Sequence, residues 1–284
     1  MTRERLSIIL ARWLAADEAV IIARVESARG SAPREAGAVM IVSAREAEGT
    51  IGGGRLEWEA IAAARAMLAS GESARELSLP LGPAIGQCCG GHVALSLKRA
   101  ARDDAAALSA AEEKESASRP AVLVFGAGHT GRALARALEA LPLRLIWIDD
   151  RAAEFARAPD VAAEKIIGAE ALRQVGKAPP GAVYIVLTHS HALDSAIAAA
   201  VLERGDFAYL GLIGSRTKRA VFESAFREAG ISEERINRLV CPIGGSAVRD
   251  KRPEVIAALT AAEVITALAA AKAPADLIES DRAL

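Results

Sequence analysis

Aromatic residues are scarce: Phe, Trp and Tyr together make up 4% of the 284 residues. A surface for stacking nucleobases has little to be built from. Neither sign of charge prevails, with 35 Lys and Arg against 36 Asp and Glu and a formal net charge of -1. No field therefore favours nucleic acid or an anionic membrane surface, and neither is expected as a partner. The three cysteines, Cys88, Cys89 and Cys241, are too few for a disulfide framework. Adjacent cysteines also bridge one another only with strain. Reduced thiols and a cytoplasmic location are expected. No uninterrupted apolar run approaches the roughly 18 residues of a membrane span. The segment Met1 to Ala11 carries Arg3, Glu4 and Arg5 and lacks the apolar core of a secretory signal.

What is present is a chain long enough for two domains and 52% hydrophobic, mostly Ala, Leu, Val and Ile. Leu6 to Ala16 has helical apolar spacing. Val20–Val25, Ala38–Val42, Glu76–Leu79 and His92–Leu97 read as strands, and Arg55–Ser70 as a helix ended by Gly71. Ala100 to Arg119, rich in Ala, Ser and charge, reads as a polar helix or a flexible linker. Beyond Pro120 the pattern becomes a regular alternation. Strands are expected at Ala121–Phe125, Leu143–Ile148, Glu164–Ile167, Ala182–Leu187, Tyr209–Ile213 and Arg238–Cys241. Helices are expected at Thr130–Ala140, Leu193–Arg204, Thr217–Ala229 and Pro253–Ala271. Near-continuous apolar strands separated by helices imply a parallel sheet covered on both faces. The fold class is α/β. An N-terminal α/β domain occupies 1–100, a linker 101–119, and a Rossmann-like domain 120–284.

Gly126, Gly128 and Gly131 match G-x-G-x-x-G between a strand and a helix, the context in which that pattern binds dinucleotides. The first glycine permits the tight turn, the second lets backbone approach a diphosphate, and the third lets the helix lie on the sheet. The helix N-terminus offers N–H groups to phosphate oxygens. Asp149 ends the second strand, about 20 residues on, where an acid can bind a ribose 2′-hydroxyl. His129 either touches a phosphate or lies on the surface. Thr188-His189-Ser190-His191, with Asp194 one turn on, follows the fourth strand. Polar ligand contact or helix capping is favoured there over a metal site. Gly214 and Ser215 follow the fifth strand as a further backbone anion cradle.

The most unusual segment is Gly86-Gln87-Cys88-Cys89-Gly90-Gly91. Flanking glycines allow a sharp bend that leaves a sulfur accessible, and turn amides can lower a thiol pKa. Such a thiolate binds a soft metal or acts as a nucleophile; the plainer alternative is a small buried hydrophobe. Thr50-Ile-Gly-Gly-Gly54 followed by Arg55 is another anion cradle at a helix start, with Gly53, Gly54 and Arg55 as its candidate contacts, or else a tight turn beside a solvated charge. Cys241 is read as structural.

These segments, in this order, resemble the XdhC/CoxI family of xanthine dehydrogenase accessory proteins. The likeness rests on Gly30–Gly37, Ile51–Glu57 and Leu81–Gly91, then on Val124–His129, Tyr209–Ser215, Cys241–Gly244 and Pro253–Ala257. The Gly-Gln-Cys-Cys-Gly-Gly loop is its most specific part. After Gly244 the chain departs from the family pattern and reads Gly245-Ser-Ala-Val-Arg-Asp250.

The resemblance implies a chaperone more than a turnover enzyme. Such a protein binds the molybdenum cofactor, molybdopterin with its metal. It assists the cofactor's sulfuration and insertion into an apo xanthine dehydrogenase-type molybdoenzyme, and meets a cysteine desulfurase. On that reading Cys88 or Cys89 contacts molybdenum, in a cleft between the domains. The remaining cofactor contacts come from Gln87, Gly90, Gly53, Gly54, Arg55, Gly126, Gly128, His129, Gly131, Asp149, His189, Gly214 and Ser215. A homodimer is expected on general grounds. Two alternatives stay open: an NAD(P)-dependent oxidoreductase using the glycine loop and Asp149, and a thiol redox or sulfur carrier using the cysteine pair.

Overall fold

The computed structural model describes residues 4–30, 34–81, 91–245 and 248–272. The chain divides into two compact units, Met1–Glu115 and Ser116–Leu284. The first is an antiparallel sheet of five strands in the order β3-β2-β1-β5-β4. These are β1 (Ile21–Arg29), β2 (Val39–Val42), β3 (Ala47–Gly49), β4 (Ala74–Leu81) and β5 (Gly91–Arg99). Alternation sorts their side chains. Met40 and Val42 of β2 join Ala23 and Val25 of β1 and Val93, Leu95 and Leu97 of β5 beneath helix α2 (Gly54–Ser70). Leu56, Ala60, Ala64 and Met67 of α2, at helical spacing, cover that face. Ile41, between Met40 and Val42, points the other way and packs with Ile9, Leu10 and Trp13 of α1 (Leu6–Ala15).

Ala100–Arg119 contains the helix α3 (Arg102–Ser118), whose Leu108 is buried in the α1 cluster. Strands β4 and β5 pair as far as Leu81 and Gly91. The segment between them carries Gln87, Cys88, Cys89 and Gly90 and lies outside the described residues.

The second unit has six parallel strands in the order β11-β10-β9-β6-β7-β8. They are β6 (Ala121–Phe125), β7 (Arg144–Asp149), β8 (Glu164–Ile167), β9 (Val183–Val186), β10 (Tyr209–Leu212) and β11 (Leu239–Val240). Counted from the first strand of the unit this is 3-2-1-4-5-6, the doubly wound order whose reversal falls between β6 and β9. All residues of β6, β9 and β10 are buried, as strands covered on both faces require. On one face Val122, Val124, Trp147 and Ile185 meet α4 (His129–Glu139) and α10 (Pro253–Lys272). On the other, Leu123, Phe125, Tyr184 and Val186 meet α6 (Ala171–Lys177), α7 (His191–Arg204) and α8 (Arg216–Glu228).

The pattern expected from the sequence omits four short elements: β3, α5 (Ala152–Ala156), α6 and α9 (Glu233–Asn237). Five residues or so give too few turns for a periodic signal. Helix α10 forms where the sequence pattern places it. Residues 253–271 are long and apolar enough, by composition alone, to cross a membrane, although Glu254 and Glu263 interrupt the run. Here Ala257, Ala261 and Val264 of that helix pack into the sheet's core. Cys241 is a buried free thiol in that unit's core, with its pKa raised by burial.

Candidate functional site

The best-formed site is at the carboxyl ends of the parallel strands, around the β6–β9 switch point. Gly126 leaves β6 with φ +127 and donates its N–H to Ile148 O at 2.8 Å. Its carbonyl accepts from Trp147 Nε1 at 2.9 Å. A Cβ on Gly126 would stand 2.3 Å from Leu187 O, and one on Gly131 would stand 2.1 Å from Gly126 O. These two glycines let strand, loop and helix close on one another. Gly128 is different. It caps α4 with an ordinary backbone (φ -66, ψ -169), and a Cβ there would meet nothing within 4 Å. The space beside it is open to a ligand in front of the N-terminal amides of α4.

Asp149 closes the loop from β7. Its Oδ2 accepts from Ala127 N at 2.6 Å and Arg151 Nη2 at 2.8 Å. Its Oδ1 accepts from Arg151 N and Nε, both at 2.9 Å. A carboxylate has about four acceptor positions, so a ribose diol at Asp149 would have to displace Arg151. The Asp149 side chain is only 2% exposed. Burial alone would raise its pKa; the Arg151 side chain and the Ala127 and Arg151 amides outweigh that and hold it at about 2.

A folded pKa below the ordinary carboxylate value stabilises the protein above that value, and the stabilisation is lost as pH falls toward 2. The size is about 2 kcal/mol at neutral pH. Asp149→Asn is therefore expected to lower stability at pH 7 by about that much. It should also flatten the loss between about pH 4 and 2. Urea midpoints against pH for both proteins check this.

Two recesses flank the loop. One, of about 80 Å³, is bounded by Phe125, Ile148, Asp150, Ala169, His189 and Leu193. The other, of about 380 Å³, lies beyond β9 and β10 and is walled by Thr188, His189, His191, Ser215 and Lys218.

Comparison with known proteins agrees with this geometry. A model of the XdhC Rossmann domain matches residues 122–264, and a model of the XdhC and CoxI family matches residues 13–79. The chain belongs to the XdhC/CoxI family. The Escherichia coli (strain K12) protein YqeB is 26% identical over 262 residues, which is 86% of this XdhC-family chain and 42% of YqeB. The chain thus spans less than half the length of that relative. A crystal structure described as a xanthine dehydrogenase from Bacillus halodurans shares the fold. Its TM-score is 0.74 at 18% identity, over 94% of this chain and 98% of the other.

The XdhC Rossmann unit brings together many of the residues singled out in its sequence. Gly126, Gly128, Gly131, Asp149, His189, Gly214 and Ser215 all stand at one end of its sheet. His129 is exposed at the start of α4. Ser190 caps α7 by accepting from Leu193 N. Among the described residues, Asp149, Asp150 and His189 form a group whose ligand atoms lie within 4.8 Å of one another. Arg151 on Asp149 sets a positive charge against a cation there. Asp194 stands apart from the histidines as a ligand: it accepts from Thr188 N, Thr188 Oγ1 and Lys218 Nζ. Lys218 escaped the sequence reading. Its only local signal is its place three residues after the α8 cap, Ser215.

In the XdhC/CoxI unit the turn at Gly53, Gly54 and Arg55 is filled from within. Gly52, Gly53 and Gly54 all have positive φ. Glu57 Oε1 accepts from Ile51 N at 3.0 Å, from Gly53 N at 2.9 Å and from the Thr50 hydroxyl. Burial opposes ionisation of Glu57, but these bonds prevail and lower its pKa. Arg55 pairs with Glu59 at 3.3 Å. The amides expected to cradle a ligand anion thus hold the protein's own carboxylate. Glu57→Ala strips this helix start of its acceptor and is expected to cost roughly 1–2 kcal/mol, the range of a lost helix cap. A thermal melt of the variant measures it.

Proposed function

We propose that the chain is an accessory protein that binds the molybdenum cofactor and serves the maturation of a xanthine dehydrogenase-type molybdoenzyme. Family membership supports the class of role. The observation that carries the ligand is the open space at Gly128 before the α4 amides, where an added Cβ would meet no protein atom within 4 Å. The terminal phosphate of molybdopterin suits a cradle there. Cys88 or Cys89 supplies a thiolate for its soft metal. When bound, the cofactor brings the molybdenum centre that the client enzyme requires; this chain's residues hold and release it. The apo-enzyme and a cysteine desulfurase are the proposed partners.

The doubly wound sheet also favours a second reading, an NAD(P)-binding protein. Against it stands the full set of protein donors on Asp149. Anaerobic equilibrium titration with molybdenum cofactor, and in parallel with NAD and NADP, separates the two. Near-stoichiometric cofactor binding with no nucleotide binding is expected; tight nucleotide binding without cofactor would reverse the assignment. A Cys88→Ser, Cys89→Ser double variant is expected to retain at least tenfold less cofactor, a loss of about 1.4 kcal/mol, and unchanged cofactor stoichiometry and affinity would remove the thiols from the site.

A further inference from the structure

The larger recess, beyond β9 and β10, owes its chemistry to the way Lys218 is held. Its Nζ donates to Asp194 Oδ2 at 2.8 Å and to Ile213 O at 3.1 Å. An ammonium has three donors, so one remains for the recess whose wall it forms. The pair is asymmetric: the Asp194 side chain is 2% exposed and that of Lys218 14%. Thr188 N and Oγ1 hold Asp194 Oδ1 at 2.9 and 2.7 Å. Asp194 also lines the recess, but three of its acceptor positions are taken by Thr188 N, Thr188 Oγ1 and Lys218 Nζ. The ammonium, which also stands 5.4 Å from the Phe222 ring centre, shares the opening with the Ser215 hydroxyl and two imidazoles.

Gly214 leaves room for this. A Cβ there would come within 3.0 Å of Lys218 Cδ and 3.1 Å of Cys241 Sγ, so any larger residue would have to push the lysine stem or the thiol aside by a few tenths of an ångström. Helices α7 and α8 start at Ser190 and Ser215 on the same end of the sheet, and their dipoles add to the lysine's field.

We propose that this recess binds a phosphate-type oxyanion, anchored by Lys218 and the Ser215 side of the wall. It is a site separate from the Gly128 cradle. The proposal reassigns Gly214 and Ser215, expected from the sequence to touch the cofactor, to a second anion; it rests on Lys218 and not on Gly128 or the α4 amides, and so holds whichever ligand takes the cradle.

The test uses ¹⁵N-labelled full chain at constant ionic strength, titrated with inorganic phosphate and separately with glycerol 3-phosphate. Saturable amide shifts at Gly214, Ser215 and Arg216 are expected. Their midpoint should weaken at least tenfold in Lys218→Met and far less in Lys218→Arg, with midpoints at Gly128 and His129 unmoved. Because Lys218→Met strands Asp194, the double variant with Asp194→Asn removes both charges and should show the same loss. Tighter binding of the monoester supports a phosphate carried on a larger ligand; equal or weaker binding supports the free ion. Shifts that fail to saturate, that chloride reproduces, or that survive both methionine variants overturn the site. Phosphate binding at Gly128 and His129 is read independently, so failure here leaves the cradle's assignment standing.

Discussion

Gly128→Ala is expected to leave the parallel-sheet unit folded and to weaken retention of the proposed ligand, whereas Gly126→Ala and Gly131→Ala are expected to destabilise the unit itself. The three glycines share one motif but differ in what surrounds them. At Gly128 the backbone is ordinary and a methyl group would meet no protein atom within 4 Å. Alanine at such a position stabilises by about 0.4–1 kcal/mol through the unfolded chain. In the proposed cradle the methyl group would occupy the space through which a phosphate approaches the α4 amides, and a binding loss of about 10–100-fold is expected.

At Gly126 an alanine must take φ +127 with its Cβ 2.3 Å from Leu187 O; at Gly131 its Cβ lies 2.1 Å from Gly126 O. Backbone strain of about 1–3 kcal/mol applies at Gly126. Overpacking of about 1–3 kcal/mol or more applies at both. Urea unfolding paired with anaerobic cofactor titration gives both quantities for each variant. Undiminished binding by Gly128→Ala would refute the role of the cradle.

The second large effect is at Asp194. Asp194→Ala is expected to cost about 3–5 kcal/mol, because it leaves the Lys218 ammonium, 14% exposed, without the charged partner that offsets its desolvation. It also removes the acceptor of Thr188 N and Oγ1, which fix the turn between β9 and α7. For a unit of this size the melting temperature should fall by roughly 10 °C. The Asp194→Asn, Lys218→Met pair should recover most of that loss, since replacing both charges of a buried pair is often close to neutral. Calorimetry on the two proteins checks this: equal melting temperatures would mean that the stranded ammonium is not the source of the loss.

The parallel unit was readable because its strands are buried on both faces and so are apolar throughout, as in Val122–Phe125 and Val183–Val186. Its glycine loop was readable because Gly126 and Gly131 have steric tasks that no other residue performs. Residues 100–119 were ambiguous between helix and linker because so little of α3 is apolar; the burial of Leu108 against α1 is a tertiary fact. The turn at Gly52–Gly54 shows the opposite failure. Its positive-φ glycines do present amides for an anion, but the sequence could not reveal that Glu57, one helical turn on, supplies that anion.

The sequence by itself determined the family, the two α/β units and the position of the Gly126–Gly131 loop. Hydrophobic periodicity and obligatory glycines are local constraints, written residue by residue. Only the tertiary structure decided which charges are committed. It closed Asp149 with Arg151 two residues on, filled the Gly53 turn with Glu57, and paired Lys218 with Asp194 across 24 positions. A charged side chain's partner depends on distances set by the packing of several elements, and nothing in its own neighbourhood along the chain encodes that choice.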